Sequence, residues 1–240
     1  MRRSFILLAT LAALLLAASA AQAATGVTGG FELTFTRNPN NNPEPSLEMT
    51  LSGTFASAGA DFFAEATYPL PGGSSETAQF VYQGAKKKAY FIYPETLNHQ
   101  ELVLDEGMHA LLAFIPQAAQ TVFTAGLDGV SKLKAQLKRL GPETVAGEKL
   151  TAYSVMLPDG AEAQVPSREG RPWTMKMYFG ADKKLRAVRV STDVSSLLLK
   201  LKGVARGEVP ASQFALPEGY YPLEPINVRS AADQHNARRD

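Results

Sequence analysis

From Gly30 the chain alternates: Phe31, Leu33 and Phe35 fall on one side, Glu32, Thr34 and Thr36 on the other. A period of two predicts a strand with one dry and one wet face. The run from Asn38 to Pro43 breaks the pattern, which returns with Leu47, Met49, Leu51 and Phe55 set against Glu48, Thr50, Ser52 and Thr54. Further strands are predicted over Phe62–Tyr68, around Ala78, Phe80 and Tyr82, and over Lys88–Tyr93. Between them stand stretches with turn chemistry: Ser57 to Asp61, Pro69 to Gly73, and Gln83-Gly84-Ala85. Short strands at this spacing predict an antiparallel meander.

Between residues 106 and 141 the period changes. Met108, Leu111, Leu112 and Ile115 follow helical spacing until Pro116 interrupts it. Val130, Leu133, Leu137 and Leu140 then recur at intervals of three and four, with Asp128 as N-cap and Gly141-Pro142 as a stop, which predicts a second helix. Strands resume over Leu150–Leu157, Trp173–Phe179, Leu185–Thr192 and Leu197–Val204, with a polar loop at 159–172. No repeat of about 20 to 50 residues is visible, so solenoids and propellers are not indicated. The organisation predicted is one extended sheet with a helical insert, and a sheet this wide must curl because strand twist accumulates.

The first segment reads as an address. Arg2 and Arg3 precede an uncharged apolar run of about 14 residues, Phe5 to Ala18, and Ala21-Gln22-Ala23 is a small-x-small cleavage site. The run is shorter than the ~20 residues that span a bilayer. Residues 1–23 are therefore expected to be a cleaved signal peptide, 24–226 a single domain and 227–240 a disordered tail, with a periplasmic location.

Composition narrows the function classes. The 240 residues carry 24 Lys+Arg against 23 Asp+Glu, 45% hydrophobic residues and no cysteine. The balanced charge offers no footprint for nucleic acid. The missing thiols exclude disulfides, thiol nucleophiles and cysteine-based metal sites. No phosphate loop, nucleophile elbow, His-Glu-x-x-His or EF-hand loop occurs. The three histidines, His99, His109 and His235, are scattered, and neither a metal site nor a nucleophile–base pair is read from them. The expectation is a protein without catalysis, cofactor or metal.

The apolar positions carry more information. Trp173, Met175, Met177 and Phe179 share one side of a strand, and Phe80, Tyr82, Phe91 and Tyr93 are placed to line the same surface. One reading is a core packed under the helices. The other is a surface open to an apolar ligand, for which flexible Met and rigid aromatics suit acyl chains. The candidate ligand-binding set adds Phe63 from the third strand and Leu111, Leu112 and Ile115 from the helix. Lys132, Lys134, Lys138 and Arg139 are read as a solvated face or as attraction to anionic headgroups or an acidic partner.

The order of short motifs resembles the LolA/LolB-like superfamily. The resemblance covers residues 28 to 222: Gly30 to Thr36, Ser52-Gly53-Thr54, Phe62 to Glu65 with Tyr68-Pro69, Tyr82 to Lys86 followed by Ala89 to Pro94, Leu140 to Tyr153, and Val209 to Tyr220. It implies an α+β fold, a curved antiparallel half-barrel sheet with a helical insert covering the concave face, and an apolar hollow for lipid or lipoprotein acyl chains. Its implied partners are a lipid or acylated protein, with transient membrane contact. One departure stands out: the lipoprotein carriers place an Arg before the Pro ending an early strand, where it bonds to the helical lid, and here that residue is Tyr68. The competing class is an envelope interaction module whose hollow is filled by its own side chains and whose partner is a protein.

Overall fold

The computed structural model describes residues 24–37, 47–70, 73–132, 136–156, 164–165, 173–192 and 195–228. Six strands open the described residues: β1 (Ala24–Arg37), β2 (Leu47–Ala58), β3 (Asp61–Pro69), β4 (Ser75–Gln83), β5 (Lys88–Tyr93) and β6 (Asn98–Leu104). A helical segment comes next: α1 (Glu106–Ala118), a π turn over Ala119–Phe123, and α2 (Leu127–Lys132). The chain continues through β7 (Gln136–Val145), β8 (Glu148–Met156), β9 (Gln164–Val165), β10 (Trp173–Phe179), β11 (Leu185–Ser191) and β12 (Ser195–Val209), and the described residues end on β13 (Tyr221–Pro222) and β14 (Ile226–Val228).

All fourteen strands belong to one sheet, ordered β13-β6-β5-β4-β3-β2-β1-β12-β11-β10-β8-β7, with β14 also on β6 and β9 on β10. Neighbours are antiparallel except β13 and β14, which run parallel to β6. The long closure β1–β12 joins the two meanders, and its register slips once, between Thr28 and Gly30.

Two expectations are corrected. The α+β half-barrel with a helical insert over its concave face is overturned: the described residues form one large open sheet, and the only long helix is the 13-residue α1. The second helix expected through Leu140 stops at Lys132, and Gln136–Val145 is a strand. The cause is β8. Ala146 (φ 49°) and Gly147 (φ 83°) form a two-residue turn with both φ positive, the geometry that matches hairpin twist, and pairing from Val145↔Glu148 outwards overrides the helical spacing of the leucines. Residues 1–23, read as a signal peptide, and 229–240 lie outside the described residues. The domain end expected at 226 falls inside β14, where Asn227 and Val228 pair with β6.

The sheet buries material on both faces. On one, Ala56, Phe63, Val81, Tyr90, Ile92 and Val209 pack under Phe214, which a short 3-10 turn (Ala211–Phe214) presents. Further along the same side, Leu150, Ala152, Tyr178 and Ala187 form a smaller cluster. Two ion-pair networks cross this face: Glu32 accepts from Lys200 and from Lys202 (3.0 Å), and Glu143 accepts from Lys176 (2.7 Å) and the Tyr178 hydroxyl (3.1 Å). The Lys200 and Lys202 bonds hold the Glu32 carboxyl below its ordinary range, and the Lys176 bond does the same for Glu143 against an opposing effect of burial.

A carboxyl depressed in the folded state contributes stability above its unfolded pKa, and that contribution is lost as pH falls through the folded value. The melting temperature is therefore expected to drop as pH falls below about 4.3, where an unfolded glutamate takes up its proton. The double variant Glu32→Gln, Glu143→Gln should show a shallower drop in calorimetry. An equally steep acid limb in the variant would mean that these networks contribute nothing.

Candidate functional site: the apolar sheet face

The opposite face is apolar across most of the sheet, and the strand register shows why. Cross-strand partners point to the same side, so each rung of side chains can be followed from strand to strand. One rung runs Leu51, Leu33, Leu199, Val188, Met177, Tyr153; the next runs Met49, Phe35, Leu197, Val190, Met175. A row of aromatics continues the surface across β2 to β5: Phe55, Phe62, Phe80 and Phe91, with successive ring centroids 6.3, 6.5 and 5.7 Å apart.

The helical segment sits at one end of this face. Asp105 caps α1 by accepting from the Met108 amide (2.7 Å), and Leu112 packs with Tyr82, Ala89 and Leu102, with Ile115 alongside. Pro116 cannot donate a backbone bond, and three residues on, at Ala119, the helix relaxes into the π turn. There Ala119 and Val122, with Val130 of α2, pack against Val27, Phe55, Phe179, Leu185 and Leu201, and Phe123 meets Phe55 edge-on at 5.7 Å.

Polar contacts pin this stretch. Gln120 donates to the Gly59 carbonyl (2.8 Å), Arg206 donates to the Gln120 carbonyl (3.0 Å) and Thr124 (3.2 Å), and the Leu127 amide donates to the Lys183 carbonyl (3.1 Å).

The outer rung lies beyond that reach. Met49 is 44% exposed; Phe35, Leu197, Val190 and Met175 are half-buried, and none of the five belongs to a buried cluster. The inner rung, with Leu199, Val188 and Met177, packs beside the helical segment's cluster. The face thus grades from a closed core under the helices to an apolar surface with no described element over it.

The expected ligand-binding residues divide accordingly. Phe80, Phe91, Met175 and Met177 lie half-buried on the apolar face, and Tyr93 joins them at the end of β5. Tyr82 is on the same face but 2% exposed beneath Leu112, and burial pushes its phenol up. Leu112 and Ile115 fill the closed end. Phe63 is placed on the other face, because Ala56↔Phe63 and Phe63↔Val81 put it in the cluster under Phe214. The side chains of Leu111 and Trp173 lie outside the described residues.

The β1, β2, β11 and β12 rungs were absent from the expected set. Their signal was the alternation at Phe31–Phe35 together with Leu197, Leu199 and Leu201.

Tyr68, standing where the resemblance calls for a lid-bonding Arg, also lies on this face. Its hydroxyl donates to Glu76 Oε2 of the adjoining strand at 2.6 Å, a bond that pushes the phenol up to about 12. The two described histidines, His99 and His109, assemble no site. His99 packs edge-on to Tyr90 at 6.1 Å, while Glu101 pairs with Lys88 at 3.0 Å. The Nδ1 atoms of His99 and His109 are buried without a hydrogen-bond partner. Among the described residues no group of three or more His, Asp or Glu is placed to hold a metal ion, and no helix is long and apolar enough to cross a membrane.

No family model and no curated protein matches the chain. Among solved structures it is similar to LprF from Mycobacterium bovis, at 12% identity over 80% of this chain and 90% of that one, with a TM-score of 0.36. It is also similar to the Mycobacterium tuberculosis lipoprotein LppX, at 13% identity over 73% and 84% with a TM-score of 0.33. A third is the Pseudomonas aeruginosa MucA/MucB complex, at 13% identity over 80% of this chain but only 56% of that one, with a TM-score of 0.35. At such identities and TM-scores the likeness fixes neither family nor activity, so the chain's own geometry has to carry the function.

Proposed function

We propose that the chain binds a lipid, or the acyl chains of an acylated protein, along the apolar face of its sheet, and that it acts by keeping those chains out of water rather than by catalysis. The outer rung carries this reading: Met49, Phe35, Leu197, Val190 and Met175 cross five adjacent strands with no described element packed over them. Each methylene laid against such a surface contributes roughly 0.8 kcal/mol, so a single acyl chain supplies enough for retention. The two methionines adapt to chains of different shape. The setting proposed is the periplasm, after removal of residues 1–23, with transient contact at a membrane surface.

The test is native mass spectrometry of the mature protein purified from its own envelope without detergent, followed by identification of anything bound. A stoichiometric lipid is expected. A protein that stays empty after incubation with membrane vesicles overturns the reading and favours an envelope interaction module. One observation favours that second reading: Leu112, Val122 and Phe123 already occupy the closed end of the face with the chain's own side chains.

A further inference from the structure

The face opposite the lipid surface carries a polar cleft that the proposed function does not use. Its volume is about 310 Å³, at the lower end of the range for small-molecule sites. Phe63, Val81 and Ile92, all buried, form its apolar floor, and Glu65 and Gln79 line it from β3 and β4. Ser212 and Gln213 of the 3-10 turn overhang it. That overhang is held in place by the buried Phe214 and by the Gln83 amide, which donates to the Phe214 carbonyl at 2.7 Å. The cleft is therefore formed before any ligand arrives.

Its charge is uncompensated. The Glu65 carboxylate is half-buried and accepts from the Gln79 side-chain amide at 2.8 Å, a neutral donor, and no cation among the described residues pairs with it. Lys202, which lines the adjoining cleft, is engaged by Glu32 at 3.0 Å. A carboxylate beside an apolar floor attracts an opposite charge more strongly than one in open water. The complementary shape is a cationic head on a slim aliphatic stem: the head meets Glu65 and the overhanging amide and hydroxyl groups, and the stem occupies the rest of the cleft.

We propose that this cleft binds an alkylammonium group, supplied either by a free polyamine or by a lysine side chain of a partner protein. The experiment follows amide shifts of the mature chain by NMR while titrating spermidine in one arm and Nα-acetyl-lysine amide in the other. Saturable shifts confined to β3, β4 and residues 211–217 are expected in at least one arm. The tighter arm identifies the source.

Glu65→Gln keeps the shape and the bond network but removes the charge, and it should weaken binding at least tenfold while leaving the melting curve in place. Shifts in neither arm, or equal affinity in Glu65→Gln, overturn the proposal. Because the site lies on the face opposite the outer rung, the lipid content of the protein should be the same in Glu65→Gln as in the parent. A loss of lipid in this variant would also count against two separate sites.

Discussion

Replacing Met175 by aspartate is expected to strip bound lipid from the protein while leaving the fold intact. Met175 is half-buried on the outer rung, opposite Val190, and belongs to no buried cluster. In the empty protein the new carboxylate keeps water, so stability should change by no more than about 1 kcal/mol. Under an acyl chain it would lose that water with no cation supplied, a cost of several kcal/mol. Since about 1.4 kcal/mol is a factor of ten, retention should fall at least tenfold.

The control is Met175→Leu, which conserves volume and apolar character and should retain lipid. The readouts are the lipid-to-protein ratio in native mass spectra and the thermal melt by circular dichroism. Unchanged retention in Met175→Asp, with an unchanged melt, would remove the outer rung from the ligand surface. Met177→Asp would test the idea less cleanly, because Met177 packs beside the buried cluster around Phe179 and a charge there would also unfold the protein.

Most of the strands were legible because their faces differ so sharply. Phe31, Leu33 and Phe35 alternate with Glu32, Thr34 and Thr36, and the register sets the first three against Leu201, Leu199 and Leu197 on one side. A shift of one residue would put Leu197, Leu199 and Leu201 against the wet face, so their spacing favours the observed register, with Leu198 opposite Thr34 on the other side.

The helical spacing of Leu133, Leu137 and Leu140 misled, because a period of three and four also arises by chance in an edge strand. Leu137 faces Val155 in β8 whereas Leu140 is 41% exposed beside a bulge, a pattern that no helix stripe explains. Gly147 was the local signal for a turn, since glycine adopts positive φ freely, whereas nothing in its residue type announces Ala146 at φ 49°.

The apolar face was legible in kind more than in extent. Met175, Met177, Phe80 and Phe91 share a face because each sits at the same parity of its own strand, which sequence shows. That β1 and β12 lie between those two groups follows from a closure between residues as far apart as Ala24 and Val209, which no local pattern encodes. Phe63 was assigned to the wrong face for a related reason: Phe62 and Phe63 are adjacent, so one must point each way, and the register with Tyr82 and Val81 decides which. The overhang that forms the polar cleft depends on Phe214 folding back onto β3 to β5, again a distant contact.

Gly126→Ala is expected to be among the most damaging single-methyl additions in the chain. Gly126 is buried at the turn between the π segment and α2, with φ +58°, and a Cβ there would stand 2.0 Å from the Lys183 carbonyl oxygen and 2.9 Å from the Lys184 Cα. Those are backbone atoms of the turn linking β10 and β11, so no side-chain rotation relieves the clash. The left-handed backbone adds about 1 kcal/mol of its own for a residue with a Cβ.

To make room, α2 must lift from the turn. That breaks the Leu127–Lys183 bond and separates Val122 and Val130 from Phe179 and Leu185. A lost hydrogen bond of about 1 kcal/mol and the loosening of a buried cluster bring the expected destabilisation to roughly 3 kcal/mol or more, read as a shift of the urea midpoint.

Gly207→Ala is the matched control: it too adds one methyl, but no atom lies within 4 Å and its φ is ordinary, so stability should move by less than about 0.5 kcal/mol. Equal midpoints for the two variants would mean that the helical segment is not held at Lys183. If Gly126→Ala folds less stably yet its folded fraction keeps the parent's lipid content, the anchored end of the helical segment serves the core, and the ligand depends on the outer rung alone.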